Sequence, residues 1–119
     1  MPTIADPRFL GQLGSAQEES YMAVKILIKR MVPAYRAKEM IPLFRKMRAL
    51  ASQQTGYISG ETLKRLDSPD QFLVISTWRS SQDWEAWVKT EQRQVIQTEI
   101  DALLGGGTTY EVYHYGFTE

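Results

Sequence analysis

The 119-residue chain contains no cysteine, which removes disulfides, thiolate metal sites and cysteine nucleophiles together. It has a single histidine, His114, so no multi-histidine site can form within one chain. Its 14 Lys and Arg are matched by 14 Asp and Glu, leaving no net field to draw it to nucleic acid or an anionic membrane. No apolar run approaches the roughly 20 residues of a membrane span. The N-terminus has no basic segment followed by an apolar one, so no leader is expected. These absences lead to the expectation of a soluble, unprocessed, cytoplasmic chain without metal. The remaining composition, 43% hydrophobic, is enough for one domain with a real core and too little for two.

Residues 1–20 hold Pro2, Pro7, Gly11, Gly14 and Ser15 with no sustained period, and read as a flexible N-terminal arm. The domain is expected over 21–119. Val24, Ile26 and Ile28 alternate with Lys25, Leu27 and Lys29, the two-residue period of a strand that Pro33 stops. Met40, Leu43, Phe44, Met47, Leu50 and Ala51 then recur at steps of three and four, predicting a helix from about Tyr35 to Gln54. Burial of such a stripe, at roughly 1.5 to 3 kcal/mol per large side chain, outweighs the local penalty of Pro42. Gly56 stops the helix, and Tyr57 to Leu66 is extended again.

The turn Asp67-Ser68-Pro69-Asp70 makes a hairpin with a third strand, Gln71 to Trp78. That strand is apolar on both faces, through Phe72, Val74 and Trp78 on one and Leu73 and Ile75 on the other. Ser80 or Ser81 caps the next helix, Thr90 and Glu91 interrupt it, and Gly105-Gly106-Gly107 ends it. A fourth strand runs from Thr108 to Tyr115. The order is βαββαβ. Right-handed crossovers then give an α+β, ferredoxin-like, four-stranded antiparallel sheet with both long helices on one face. Because the third strand is apolar on both sides, the open face needs cover, and a second copy is the simplest. Two such sheets face to face would form a dimeric α+β barrel.

Two tempting motifs fail. Gly56-Tyr57-Ile58-Ser59-Gly60 has its serine one place late for a nucleophile elbow and leads into a strand. Gly105-Gly106-Gly107 follows a helix, the reverse of a phosphate-cradling loop. Arg45, Lys46 and Arg48 read as the solvated side of the first helix.

Over about residues 22–115 the chain resembles the antibiotic biosynthesis monooxygenase domain of the dimeric ferredoxin-like superfamily. The resemblance rests on Val24-Lys25-Ile26-Leu27-Ile28-Lys29-Arg30, on Gln54-Thr55-Gly56-Tyr57-Ile58-Ser59-Gly60-Glu61-Thr62, and on the segment from Thr77-Trp78 to Trp87. It implies a cavity between sheet and helices. It also implies, for some members, oxidation of quinol-like or anthrone-like aromatics by O2 without metal or flavin, so no cofactor is expected. Other members degrade haem with a helical Trp, an Asn on the first strand and a His on a later helix. Trp87 matches that Trp, whereas Lys29 stands at the Asn position, Gln97 falls near the His, and the chain has no asparagine. Without an imidazole there, haem degradation is disfavoured.

The expected catalytic residues are therefore Trp87 as ring platform, Lys29 or else a tyrosine as anion holder, and His114 as proton shuttle. The expected substrate contacts are Trp84, Gln97, Leu27 and Phe44. Each has a plainer alternative: the tryptophans pack helix on sheet, Lys25 and Lys29 snorkel to solvent, and His114 lies at the surface or a subunit contact. The function expected is a homodimeric, cofactor-independent monooxygenase for a small planar aromatic. The alternative is a non-catalytic, ligand-binding or stress-related dimer.

Overall fold

Alternation in the first strand decides which side of the sheet becomes the core. In the computed structural model, which describes residues 23–115, β1 spans Val24–Met31, and its residues are buried and half-buried in strict turn. Val24, Ile26 and Ile28 point under the helices, while Lys25, Leu27 and Lys29 point away. α1 (Ala37–Ala51) follows a short 3-10 turn, Ala34–Arg36. β2 covers Tyr57–Lys64 and β3 Gln71–Trp78. The second helical region is two helices, α2 (Ser81–Val88) and α3 (Glu91–Leu104), before β4 (Thr109–His114). The arm expected at 1–20 lies outside the described residues.

The strands form one antiparallel sheet in the order β2-β3-β1-β4, so β1 and β3 are central as the ferredoxin-like plan requires. Register carries the two-faced pattern across the sheet. Val24 lies opposite Trp78 and His114, and Ile28 opposite Val74 and Tyr110. β2 keeps phase with β3 only through an irregularity at Ile58, which lets Tyr57 pair with Trp78 and Gly60 with Ser76. All three helices pack on the Val24/Ile26/Ile28 face in two adjoining cores. One is built around Trp78, Trp84 and Trp87, the other around Met40, Ile96 and Ile100.

Local signals set the helix ends. The Ser80 hydroxyl accepts from the Asp83 N–H at 3.1 Å, and that of Thr90 from the Arg93 N–H at 3.3 Å. Thr90 is thus the cap of a new helix, which is why the apolar stripe breaks there. α3 ends at Gly105, left-handed with φ 76°. Pro42 sits in the second turn of α1, exposed, so the low penalty of a first-turn proline does not apply. Packing of Met40, Phe44 and Met47 holds the helix regardless.

Gly56 has φ +88°, and a Cβ there would lie 2.2 Å from the Asp83 carboxylate. Its carbonyl accepts from the Arg79 N–H at 2.7 Å, tying the start of β2 to the cap of α2. Gly56→Ala is expected to destabilise the protein by about 1–3 kcal/mol, from the left-handed backbone and the displaced Asp83. Urea unfolding, read as a lower midpoint at unchanged slope, measures it.

Candidate functional site

Helix α1 lies across the sheet but does not seal it. The gap is a cleft whose lining from α1 is Phe44, Met47, Arg48 and Ala51. Its floor is Ile28 and Arg30 of β1, Val74 and Ser76 of β3, and Tyr57, Gly60 and Thr62 of β2. Trp84 and Trp87 of α2 and Arg93 of α3 close the far side. The space in which a water-sized sphere can move is about 60 Å³. At roughly 10–15 Å³ per water this admits a few waters, and because a cavity that takes a benzene ring is nearer about 150 Å³, an aromatic ligand must extend through the mouth or part the walls. A roomier depression between α1 and α3, lined by Lys46, Leu50, Glu91, Gln92, Val95 and Ile96, is shallower, more open to solvent and without aromatic walls.

Behind the cleft runs a chain of aromatic rings, two pairs of it edge-on and one tilted. Tyr57 meets Trp78 at 5.4 Å and 88°, Trp78 meets Trp84 at 5.9 Å, and Trp84 meets Tyr110 at 6.1 Å. Gly60 leaves room for the Tyr57 hydroxyl, since a Cβ there would lie 2.7 Å from it. Trp84 and Trp87 belong to the buried core and also line the cleft. Packing and cleft-lining are therefore compatible roles for both.

The polar content is cationic. Arg30, Arg48 and Arg93 line the cleft, and among the described residues no acidic one does. Arg48 is exposed at the mouth and donates to the Thr62 hydroxyl at 3.1 Å. Arg30 and Arg93 are only 4% and 5% exposed. Among the described residues neither pairs with a carboxylate, whereas Arg36, Arg65 and Arg79 on the outside each do. Their partners are neutral. Arg93 Nη2 donates to the Tyr110 hydroxyl at 2.8 Å, which donates to Gln97 Oε1 at 3.2 Å. The same Oε1 accepts from Arg30 Nη2 at 3.0 Å. Gln97 Nε2 in turn donates to Asp101 Oδ1 at 2.8 Å and to the Thr108 hydroxyl at 3.3 Å, so the nearest carboxylate is one side chain removed.

Ring faces supply the rest: Arg30 lies 5.3 Å from the Phe44 centroid, and Arg93 lies 5.6 and 5.4 Å from those of Trp84 and Tyr110. Arg30 Nε is buried and finds no acceptor among the described residues. Burial pushes the Arg30 guanidinium below its ordinary range; Tyr110 and Asp101 oppose the shift and Arg93 reinforces it. Arginine nevertheless stays charged in proteins, so the cleft keeps its positive field. Removing each such ion from water costs on the order of several kcal/mol, which neutral acceptors and ring faces offset only in part.

The sequence-derived candidates fall into three groups. Trp84, Trp87 and Phe44 line the cleft. Gln97 stands behind it, joining Arg30 to Tyr110. Lys29 and Leu27 do not face it, a correction that follows from register: they lie on the opposite side of β1 from Val24, Ile26 and Ile28. There Lys29 meets Glu111 at 3.3 Å. His114, opposite Val24 on edge strand β4, lies outside the lining, with its Nε2 buried and unpartnered among the described residues. Sequence reasoning missed Arg30 and Arg93. The signal existed: Arg30 is in phase with Val24, Ile26 and Ile28, and Arg93 with Ile96 and Ile100. A charge in phase with a buried stripe is a site candidate. Arg48 likewise borders the cleft and is more than solvated surface.

Among the described residues no group of three His, Asp or Glu could hold a metal, and no helix is long and apolar enough to cross a membrane. Known proteins agree with this architecture. A conserved protein from Methanosarcina mazei Go1 superposes with TM-score 0.74 at 15% identity, covering 84% of this chain and 99% of that one. SnoaB, a cofactor-independent oxygenase from Streptomyces nogalater, does so with TM-score 0.71 at 16% identity, covering 82% and 96%. Rv0793 from Mycobacterium tuberculosis gives 0.69 at 13%, covering 82% and 97%. At such identities the likeness is one of fold. No curated protein matches the chain. The model of the antibiotic biosynthesis monooxygenase family, however, matches residues 23–99, from the start of β1 through most of α3 and so across every cleft-lining residue, and the chain belongs to that family.

Proposed function

We propose that the protein is a cofactor-independent monooxygenase acting on a small planar, quinol- or anthrone-like aromatic, and that it works as a cytoplasmic homodimer. The observation that carries this is the meeting of Trp84, Trp87 and Phe44 with buried guanidinium groups in one cleft. Family membership and the fold shared with a cofactor-independent oxygenase support it.

The aromatic would lie against Trp87 and Phe44. A cation beside an acidic phenol or C–H group favours its conjugate base, lowering the substrate's pKa and supplying the reactive anion. Arg93, fixed by Tyr110 and by the face of Trp84, takes the role first considered for Lys29. The substrate anion then gives one electron to O2, and the radical and superoxide combine to a peroxide. Loss of water from that peroxide turns an anthrone CH2 into a carbonyl: one oxygen atom is retained and the other leaves as water. The buried aromatic walls limit water at the reacting carbon. Haem handling gains no support, because the amide of Gln97, near the expected ligand position, is engaged by Arg30, Tyr110, Asp101 and Thr108.

The dimer is supported by the sheet face opposite the helices. Leu27, Leu73 and Ile75 form its centre, with Met31 and Leu63 more exposed at 51% and 43%. A second copy would cover this strip from solvent.

Oxygen-electrode assays with a panel of reduced quinols and anthrones should show protein-dependent uptake. Arg93→Met should lower it roughly 10–100-fold with the circular dichroism spectrum retained. Protein-independent rates across the panel would remove the enzymatic claim, and a ligand bound tightly but unchanged under O2 would point to a binding protein. In sedimentation equilibrium at micromolar concentration the wild type should weigh as a dimer and Ile75→Asp as a monomer; a monomeric wild type would overturn the assembly.

A further inference from the structure

We infer that the ligand of this cleft carries a permanent carboxylate, bound at Arg30, in addition to the ionisable aromatic group set against Arg93. The inference rests on the cleft being the ligand site. It goes further by assigning a second anionic group to the substrate.

Three observations converge on Arg30. It is 4% exposed and lines the cleft, yet its Nε has no acceptor among the described residues. Among the described residues it donates to Gln97 Oε1, which also accepts from Tyr110, and the Tyr110 hydroxyl lies close enough to favour its charged form. The other buried guanidinium, Arg93, is in the same relay and also lacks a carboxylate among the described residues. Among the described residues, three cations thus line the space and no acid does, in a chain of zero net charge. A single phenolate or enolate leaves most of that charge unmatched. A guanidinium presents its donors as a planar fork, and a carboxylate is the planar acceptor that matches two of them at once.

The surroundings favour a carboxylate on a ring. Arg30 lies over Phe44, whose ring face could stack beside a flat group joined to the anion. The space of about 60 Å³ is enough for a carboxylate, with the ring that bears it lying in the mouth beside Arg48. Gln97 acts here as a positioning residue: by accepting from Arg30 Nη2 it holds the guanidinium at the cleft wall.

The test uses the fluorescence of Trp84 and Trp87 in anaerobic buffer. The full chain is titrated with 2-naphthoate and with its neutral isostere 2-naphthamide. Hydrogen bonds to a charged acceptor should make naphthoate bind roughly 10–100-fold tighter. Arg30→Met should abolish that preference while still binding naphthamide, and Arg30→Lys should retain part of it. Equal affinity of the two probes for the wild type, a measurement that needs no variant, overturns the proposal. So does an unchanged preference in Arg30→Met, or displacement of naphthoate by equimolar inorganic phosphate, which would mean a general anion hole. None of these readouts depends on O2 uptake, so a failure here is distinguishable from failure of the oxygenase reading.

Discussion

The two-residue alternation of β1 is the constraint on which the rest of the molecule hangs. Being central, β1 transmits its phase to β3 on one side and β4 on the other, so one set of side chains faces the helices across three strands. Val24, Ile26 and Ile28 anchor the core, and a slip of one residue would bring Lys25 and Lys29 into it. Arg30 is the next residue in the same phase. The strand that builds the core therefore also delivers a cation beneath α1, where water is scarce.

Burying a guanidinium without a carboxylate is unfavourable unless something else accepts its protons. Gln97 and Tyr110 do so, aided by the faces of Phe44 and Trp84, and the arrangement couples β1, α3 and β4. Stability and chemistry are thereby linked. A positive, partly dry cleft strengthens any interaction with an anion, because the local dielectric is low and the donors are already oriented. The same buried charges that are costly to desolvate are the ones that would hold an anion in the cleft.

Elements were legible where their signals are local. The span of β3, Ser80 as cap, the break at Thr90 and the stop at Gly105 depend on near neighbours in the chain. Trp84, Trp87 and Phe44 were legible as residues that face the sheet because they lie on the apolar sides of their helices; that the same side chains also line a cleft came from the tertiary structure. Lys29 and Leu27 were misplaced because the two faces of β1 are both partly apolar, and only the helices' position distinguishes them. Arg30 and Arg93 went unnoticed for a related reason: composition places arginine outside, and their burial depends on acceptors 17 to 67 residues away in the chain.

The order of strands and helices, the two-faced third strand and the absence of thiol chemistry are properties of the amino-acid sequence, because period, capping and composition act over a few residues. Which face of β1 is covered, and which cations share a cleft with the tryptophans, were decided only by tertiary structure. The physical reason is that desolvation is set by what packs on a side chain, and that partner comes from a distant part of the chain.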